Sequence, residues 1–282
     1  MLRLYRKELK TERIAGLRKV LFTLGVLYFA LIAVLFVKQR DFIYIPDKTV
    51  PSKSLVSADG MAQDIEVHTE DGLFLKAWFI PSVQRGMPVI LFFHGNAGNI
   101  SHRLFKVSDY IEAGYGVLMA EYRGYGGNPS TPSEEGLYAD ARAYFSWLNA
   151  HGYKDEDLIL YGESLGSGVA IEMAARRKVK ALILEAPYAR LSDPARKTYF
   201  FIPFIEHLMH DKFLSIEKIH AVNAPKLFLL AGKDEVLGAQ TGMELYEAAH
   251  EPKTLKIFEN ASHNGAYQYG AGSLVLLFLS TL

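Results

Sequence analysis

With 282 residues, half of them hydrophobic, the chain can bury a large core, and a single α/β domain of that size is common. Its 31 basic and 31 acidic residues cancel, which argues against a nucleic-acid-binding role. The absence of cysteine excludes disulfides, thiolate metal sites and a cysteine nucleophile.

Residues 20–37, VLFTLGVLYFALIAVLFV, carry no charge and are long enough to cross a bilayer as a helix. Before them, Arg3, Arg6, Lys7, Lys10, Arg13, Arg18 and Lys19 outnumber Glu8 and Glu12. After them, Lys38 and Arg40 are partly offset by Asp41 and Asp47. The positive-inside rule therefore predicts a single-pass membrane protein: residues 1–19 form a basic cytoplasmic N-terminus, 20–37 are a signal-anchor, and the rest lies on the periplasmic or exoplasmic side. A cleaved signal peptide is the alternative, but the run is long for one and VKQRDF offers no small-x-small cleavage site. Residues 38–60, polar and with two prolines, read as a tether to a folded domain at 61–282.

That domain opens with DIEVHT and LFLKAWFI, alternating segments joined through Asp71-Gly72, a strong hairpin signal. Short continuous apolar runs of the fully buried type follow: PVILFFH (88–94), GVLMAEY (116–122), DLILY (157–161), KALILE (180–185) and PKLFLLAG (225–232). Helical periodicity falls between them near 100–113, 136–150, 165–177 and 239–250. The Thr131-Pro132-Ser133-Glu134 string gives one helix its start, with threonine as the cap. A last strand, TLKIFE, precedes a C-terminal helix. The pattern predicts a mostly parallel central sheet with helices on both faces, led in by an antiparallel hairpin.

In such sheets chemistry gathers at the carboxyl ends of the strands. There stand Gly162-Glu163-Ser164-Leu165-Gly166, then Lys233-Asp234-Glu235, then Ser262-His263, together with the glycine-rich loop His94-Gly95-Asn96-Ala97-Gly98. A G-x-S-x-G spacing alone turns up by chance in roughly one chain in ten of this length, so its position after a buried strand is what counts. A serine hydroxyl needs an imidazole to take its proton, and the imidazole needs a carboxylate to hold its tautomer. Ser164, Asp234 and His263 are the candidates, with Glu235 the alternative acid. Gly162 and Gly166 permit the sharp strand-to-helix turn that exposes Ser164, and Gly168 continues the small-residue series. The backbone N–H groups of Leu165 and Asn96 are the candidate oxyanion donors. Ser164 as an ordinary helix cap would explain the serine but neither glycine. His94 reads as a loop-shaping residue, and His207-x-x-His210, spaced for two metal ligands, lacks an evident third and reads as a solvated helix face.

The segments FFHGNAGNISHR (92–103), EYRGYGGNPSTPSEEGLYADA (121–141), YGESLGSGVA (161–170), GKDEV (232–236) and SHNG (262–265) carry a family resemblance that covers the chain from about Ile65 onward. It resembles the α/β-hydrolase superfamily, and within it the membrane-anchored alpha/beta hydrolase domain-containing serine esterases. The resemblance implies the α/β-hydrolase fold, a Ser164-Asp234-His263 triad, an oxyanion hole from the Asn96 and Leu165 amides, and neither cofactor nor metal. Two departures stand out: Leu237-Gly238 after Val236, where relatives often have proline, and Ser262 and Gly265 around His263, where they often have glycine and an acid.

The expected function is hydrolysis of carboxylic esters or thioesters with lipophilic acyl groups, through an acyl-serine. The stretch between KALILE and PKLFLL is short for a cap domain, and its Tyr199-to-Ile205 aromatic run could line an acyl pocket, dip into the membrane interface, or pack on the core. The expected partners are a small-molecule or lipid acyl substrate and, through the N-terminal helix, a membrane. A serine peptidase of the same fold and a non-catalytic membrane-tethered scaffold are the alternatives. The intact residue set weighs against the scaffold.

Overall fold

The computed structural model describes residues 2–52, 62–84 and 86–282, with side chains described from residue 13 onward. Helix α1 spans Leu2–Ile43, and over Arg13–Ile43 it is long and apolar enough to cross a membrane. The N-terminal basic residues up to Lys10 lie outside the described side chains, and residues 53–60 of the expected tether lie outside the described residues.

The near half of that tether differs from the expectation. Residues 38–43 continue α1, and β1 (Ile45–Pro46) then pairs in parallel with β5 (Ala97–Gly98), inside the glycine-rich loop. The Ile45 amide donates to Asn96 O at 3.1 Å, and Asn96 Nδ2 donates to Ile43 O at 2.8 Å. Polar composition and prolines suggested a free linker. The backbone groups they left available are instead used to fasten α1 to the domain.

The domain is built on an eight-stranded sheet of order β10-β9-β8-β7-β4-β6-β3-β2. In chain order, β2 (Gln63–His68) and β3 (Phe74–Ile80) form the hairpin, with Gly72 supplying the left-handed φ of 86° that its turn requires. Then come β4 (Val89–Phe93), β6 (Gly116–Ala120), β7 (Leu158–Glu163), β8 (Ala181–Glu185), β9 (Lys226–Ala231) and β10 (Lys253–Phe258). The pairs from β6 through β10 are parallel, whereas β3 runs against both β2 and β6.

The continuous apolar runs are explained by two cores, one on each face. Val89, Leu91 and Phe93 of β4 point to the side covered by α3 (Glu134–Ala150), α4 (Leu165–Arg176) and α7 (Ala239–Ala248). Ile90 and Phe92 point to the side covered by α2 (Leu104–Glu112) and α8 (Ala271–Leu279). A strand buried on both faces has no polar side to alternate with.

Helix α3 begins two residues later than its sequence suggests. Ser133, extended at φ −157° and ψ 161°, is the cap and accepts from the Gly136 amide, so Thr131 and Pro132 lie outside the helix. The Glu134 carboxylate turns away to accept the Lys212 and Phe213 amides. Those amides belong to the cap, residues 186–225, which carries α5 (Ser192–Thr198) and α6 (Ile205–Leu208) and rests against α1.

Candidate active site

Strand β7 ends in a turn that Ser164 takes at φ 49° and ψ −115°, a left-handed conformation a serine rarely adopts. Its amide donates to Glu185 O at 2.8 Å, which fixes the turn to β8. A Cβ on Gly162 would stand 2.6 Å from the Ser167 Cα, and one on Gly166 would overlap the Phe93 carbonyl. Both glycines are therefore required by close backbone approach, and together they let helix α4 start directly against β4. Gly168 faces side chains instead: its extra atom would meet Tyr188 and Phe213.

The loops after β9 and β10 bring the other two groups to Ser164. His263 Nε2 lies 2.9 Å from Ser164 Oγ, and His263 Nδ1 lies 2.7 Å from Asp234 Oδ2. The second oxygen of Asp234 accepts the Val236 and Leu237 amides at 2.9 and 2.8 Å. Burial is the largest influence on Asp234 and pushes its pKa up. The hydrogen bond and charge of His263 and the two amides outweigh it, so the carboxyl stays below its ordinary value. Glu235 turns to a different job, accepting the His263 backbone amide at 3.2 Å. The structure thus separates the two acids that the sequence left side by side: one holds the ring, the other holds the loop. Around the ring, the Gly265 amide closes a turn onto Ser262 O at 2.9 Å, so the unusual Ser262 and Gly265 still form an ordered loop.

The candidate oxyanion donors are oriented through the carbonyls of their own peptides. Gly95 O, in the peptide that carries the Asn96 N–H, lies 2.7 Å from His94 Nδ1. Ser164 O, in the peptide that carries the Leu165 N–H, accepts both the Ser167 amide and the Ser167 hydroxyl. In a trans peptide N–H and C=O point in opposite directions, so each amide is aimed away from its pinned carbonyl. Leu165 is the first residue of α4, and its N–H has no intrahelical acceptor. Asn96, Ser164 and Leu165 line one cavity of about 340 Å³. His94 is fully buried and its Nε2 lies 2.9 Å from Glu121 Oε1, which makes it a positioning residue for the Gly95–Asn96 peptide.

Under the turn lies a charge network that the sequence did not announce. Arg103 forks onto Glu163 at 3.1 and 3.2 Å, and Lys106 Nζ sits 2.8 Å from both oxygens of Glu185 and 3.4 Å from Glu163. Two cations and two carboxylates cancel, as buried charges must. Burial pushes the Glu163 carboxyl up most strongly, but Lys106 and Arg103 outweigh it and hold the group well below the usual carboxylate range. Both carboxylates sit on residues that hold Ser164, one by the preceding peptide and one by the Glu185 carbonyl.

A hydroxyl, an imidazole and a carboxylate in this line can move a proton off the serine and stabilise the imidazolium that results. His207 and His210 lie outside the site; His210 packs edge-on against Phe36 of α1, and among the described residues no cluster of three or more metal-ligating side chains occurs.

Residues 88–204 match the family model described as alpha/beta hydrolase fold. An uncharacterized protein of Mycobacterium tuberculosis is 40% identical over 230 residues, covering 80% of this chain and 81% of that one. The lysophosphatidylserine lipase ABHD12 of Danio rerio is 33% identical over 199 residues, covering 63% of this chain and 51% of that protein. Among solved structures, an esterase of Pyrococcus furiosus superposes with a TM-score of 0.68 at 20% identity, covering 85% of this chain and 97% of that one.

Proposed function

The chain belongs to the α/β-hydrolase family, and from that premise we propose that it is a serine esterase acting on lipophilic acyl esters or thioesters. The observation that carries this reading is the unbroken line from Ser164 Oγ through His263 to Asp234 at the wall of an apolar cavity. The lipase among its relatives and the apolar lining support an acyl substrate.

In the proposed reaction His263 Nε2 takes the proton as Ser164 Oγ attacks the acyl carbonyl. The negative charge that develops on the carbonyl oxygen faces the Asn96 and Leu165 amides. Collapse breaks the bond to the leaving alcohol or thiol, which receives its proton from His263. The same imidazole then takes a proton from water as it attacks the acyl-serine, and returns that proton to Ser164 Oγ as the acid is released. Asp234 keeps its charge throughout, consistent with a pKa held below the ordinary value.

The apolar helix α1 fits a single-pass membrane anchor. We assign residues 1–19 to the cytoplasm and the hydrolase domain to the periplasmic or exoplasmic side, on the basic excess before residue 20. Labelling with a fluorophosphonate probe tests the chemistry. The wild type should label, and Ser164→Ala and His263→Ala should not, while both variants remain folded. Equal labelling of wild type and Ser164→Ala would refute the assignment.

A further inference from the structure

We propose that the anchor helix is itself one wall of the acyl-binding site, so that the substrate is an acyl lipid drawn sideways from the bilayer that α1 crosses. The inference rests on the esterase reading above and names where its substrate resides. The cavity at Ser164 is lined on one side by Ile32, Leu35 and Ile43 of α1 and on the other by Leu191, Tyr199 and Ile202 of the cap. From Ile32 to Ile43 the helix rises about 17 Å. The Ile43 carbonyl accepts from Asn96, so this end of the wall meets the candidate oxyanion loop beside Ser164. The other end lies within the apolar stretch 20–37.

The helix is fixed in this position by polar ties that follow a single stripe. Tyr28 OH donates to Phe201 O at 2.8 Å, and the His210 amide donates to Gln39 Oε1 at 2.6 Å. Arg40 forks onto Asp211 at 2.9 and 3.2 Å; that carboxylate is buried and also accepts the Glu134 amide. Tyr28, Ile32, Leu35 and Gln39 are spaced for one helix face and are half-buried, while Val34 and Val37 point away.

Depth follows from the same contacts. Tyr28 precedes Val37 by nine residues, about 14 Å along the axis. A helix that crosses with residues 20–37 therefore carries the Phe201 carbonyl below the edge of the hydrocarbon. Next to it, Phe200 and Phe204 are 84% and 74% exposed, an apolar face that water would penalise and acyl chains would not. The Phe201 carbonyl has the partner that lipid could not supply. An acyl chain entering between α1 and the cap keeps its tail at bilayer depth and brings its carbonyl to Ser164. Ser164 Oγ adds to that carbonyl as its proton passes to His263, and collapse then breaks the ester C–O bond while the leaving group takes the proton from His263 at the surface.

Full-length protein in phosphatidylcholine vesicles tests this with p-nitrophenyl laurate and p-nitrophenyl butyrate. Leu35→Trp and Ile32→Phe fill the cavity from the anchor side and should lower the laurate-to-butyrate ratio of kcat/KM by about tenfold or more. Val34→Trp, at the same depth on the lipid-facing side, should leave the ratio unchanged. For the wild type, adding vesicle lipid at fixed bulk laurate should slow hydrolysis in proportion to the dilution within the bilayer. An unshifted ratio in folded Leu35→Trp and Ile32→Phe, or a laurate rate indifferent to lipid dilution, would overturn the proposal. A wild type that hydrolyses neither ester defeats the esterase reading itself, and this inference with it. Hydrolysis of both esters combined with either overturning result defeats only the role of the anchor.

Discussion

The β7–α4 turn that carries Ser164 is enclosed by strands and by a buried charge network, whereas the α1–cap wall across the cavity is half-buried and held by a few polar ties. The first region has no latitude: an added methyl on Gly162 or Gly166 would strike backbone. The second has more latitude, because α1 is packed along one stripe and exposed on its other side. Under the proposed function, the rigid region carries the reaction chemistry and the adaptable one the substrate selection.

Perturbing the two regions in turn should separate rate from selectivity. The largest effect is expected from Ser164→Ala, which should lower kcat by about four to six orders of magnitude, measured by ester hydrolysis in detergent. Its stability should change by less than about 1 kcal/mol. Glu163→Gln should leave Lys106 and Arg103 undercompensated in the core and cost about 3–5 kcal/mol in denaturant unfolding. The pH dependence follows from the same group. Its folded pKa, like that of Asp234, is depressed, so the stability it contributes is present above the ordinary carboxylate pKa of about 4 and is lost as pH falls toward the folded value. Glu163→Gln should flatten that acid limb in thermal melts.

His94→Ala releases the Gly95 carbonyl and should lower kcat by about 10- to 100-fold with KM little changed, less than removal of an oxyanion donor itself. A fall in KM-dependent terms alone would show that the Asn96 peptide keeps its aim without His94. The smallest effect belongs to the second region. Arg40 is half exposed but its partner Asp211 is buried, so the charge is best kept: Arg40→Lys loses only the fork and should cost about 1 kcal/mol in stability, while loosening α1 enough to blunt chain-length preference.

The rigid region was largely legible in the sequence, and the adaptable one was not. Buried strands, the glycines at 162 and 166, and the order serine, acid, histidine each leave a local signature, because each is imposed by backbone geometry at a strand end. Local chemistry favoured Asp234 but kept Glu235 as the alternative, since the choice depends on which carboxylate the β10 loop meets. The Arg103–Glu163 and Lys106–Glu185 pairs were invisible because their members lie 60 and 79 residues apart, and a charge met singly reads as solvated. The cap-facing stripe of α1 was hidden for the opposite reason. In a helix apolar on every face, Ile32 and Leu35 look no different from Val34. The polar residues Gln39 and Arg40, recurring beside that stripe, are the signal that could have revealed it. The fastening of β1 to β5 likewise uses backbone groups, which carry no sequence label.

The most direct test of the central claim is to trap the acyl-enzyme. Wild-type protein mixed with p-nitrophenyl octanoate and quenched in acid should show, by peptide mass spectrometry, one octanoyl group on Ser164. The adduct should be absent from Ser164→Ala. Continued ester hydrolysis by Ser164→Ala, or an acyl group found on another residue in a competent wild type, would contradict the account.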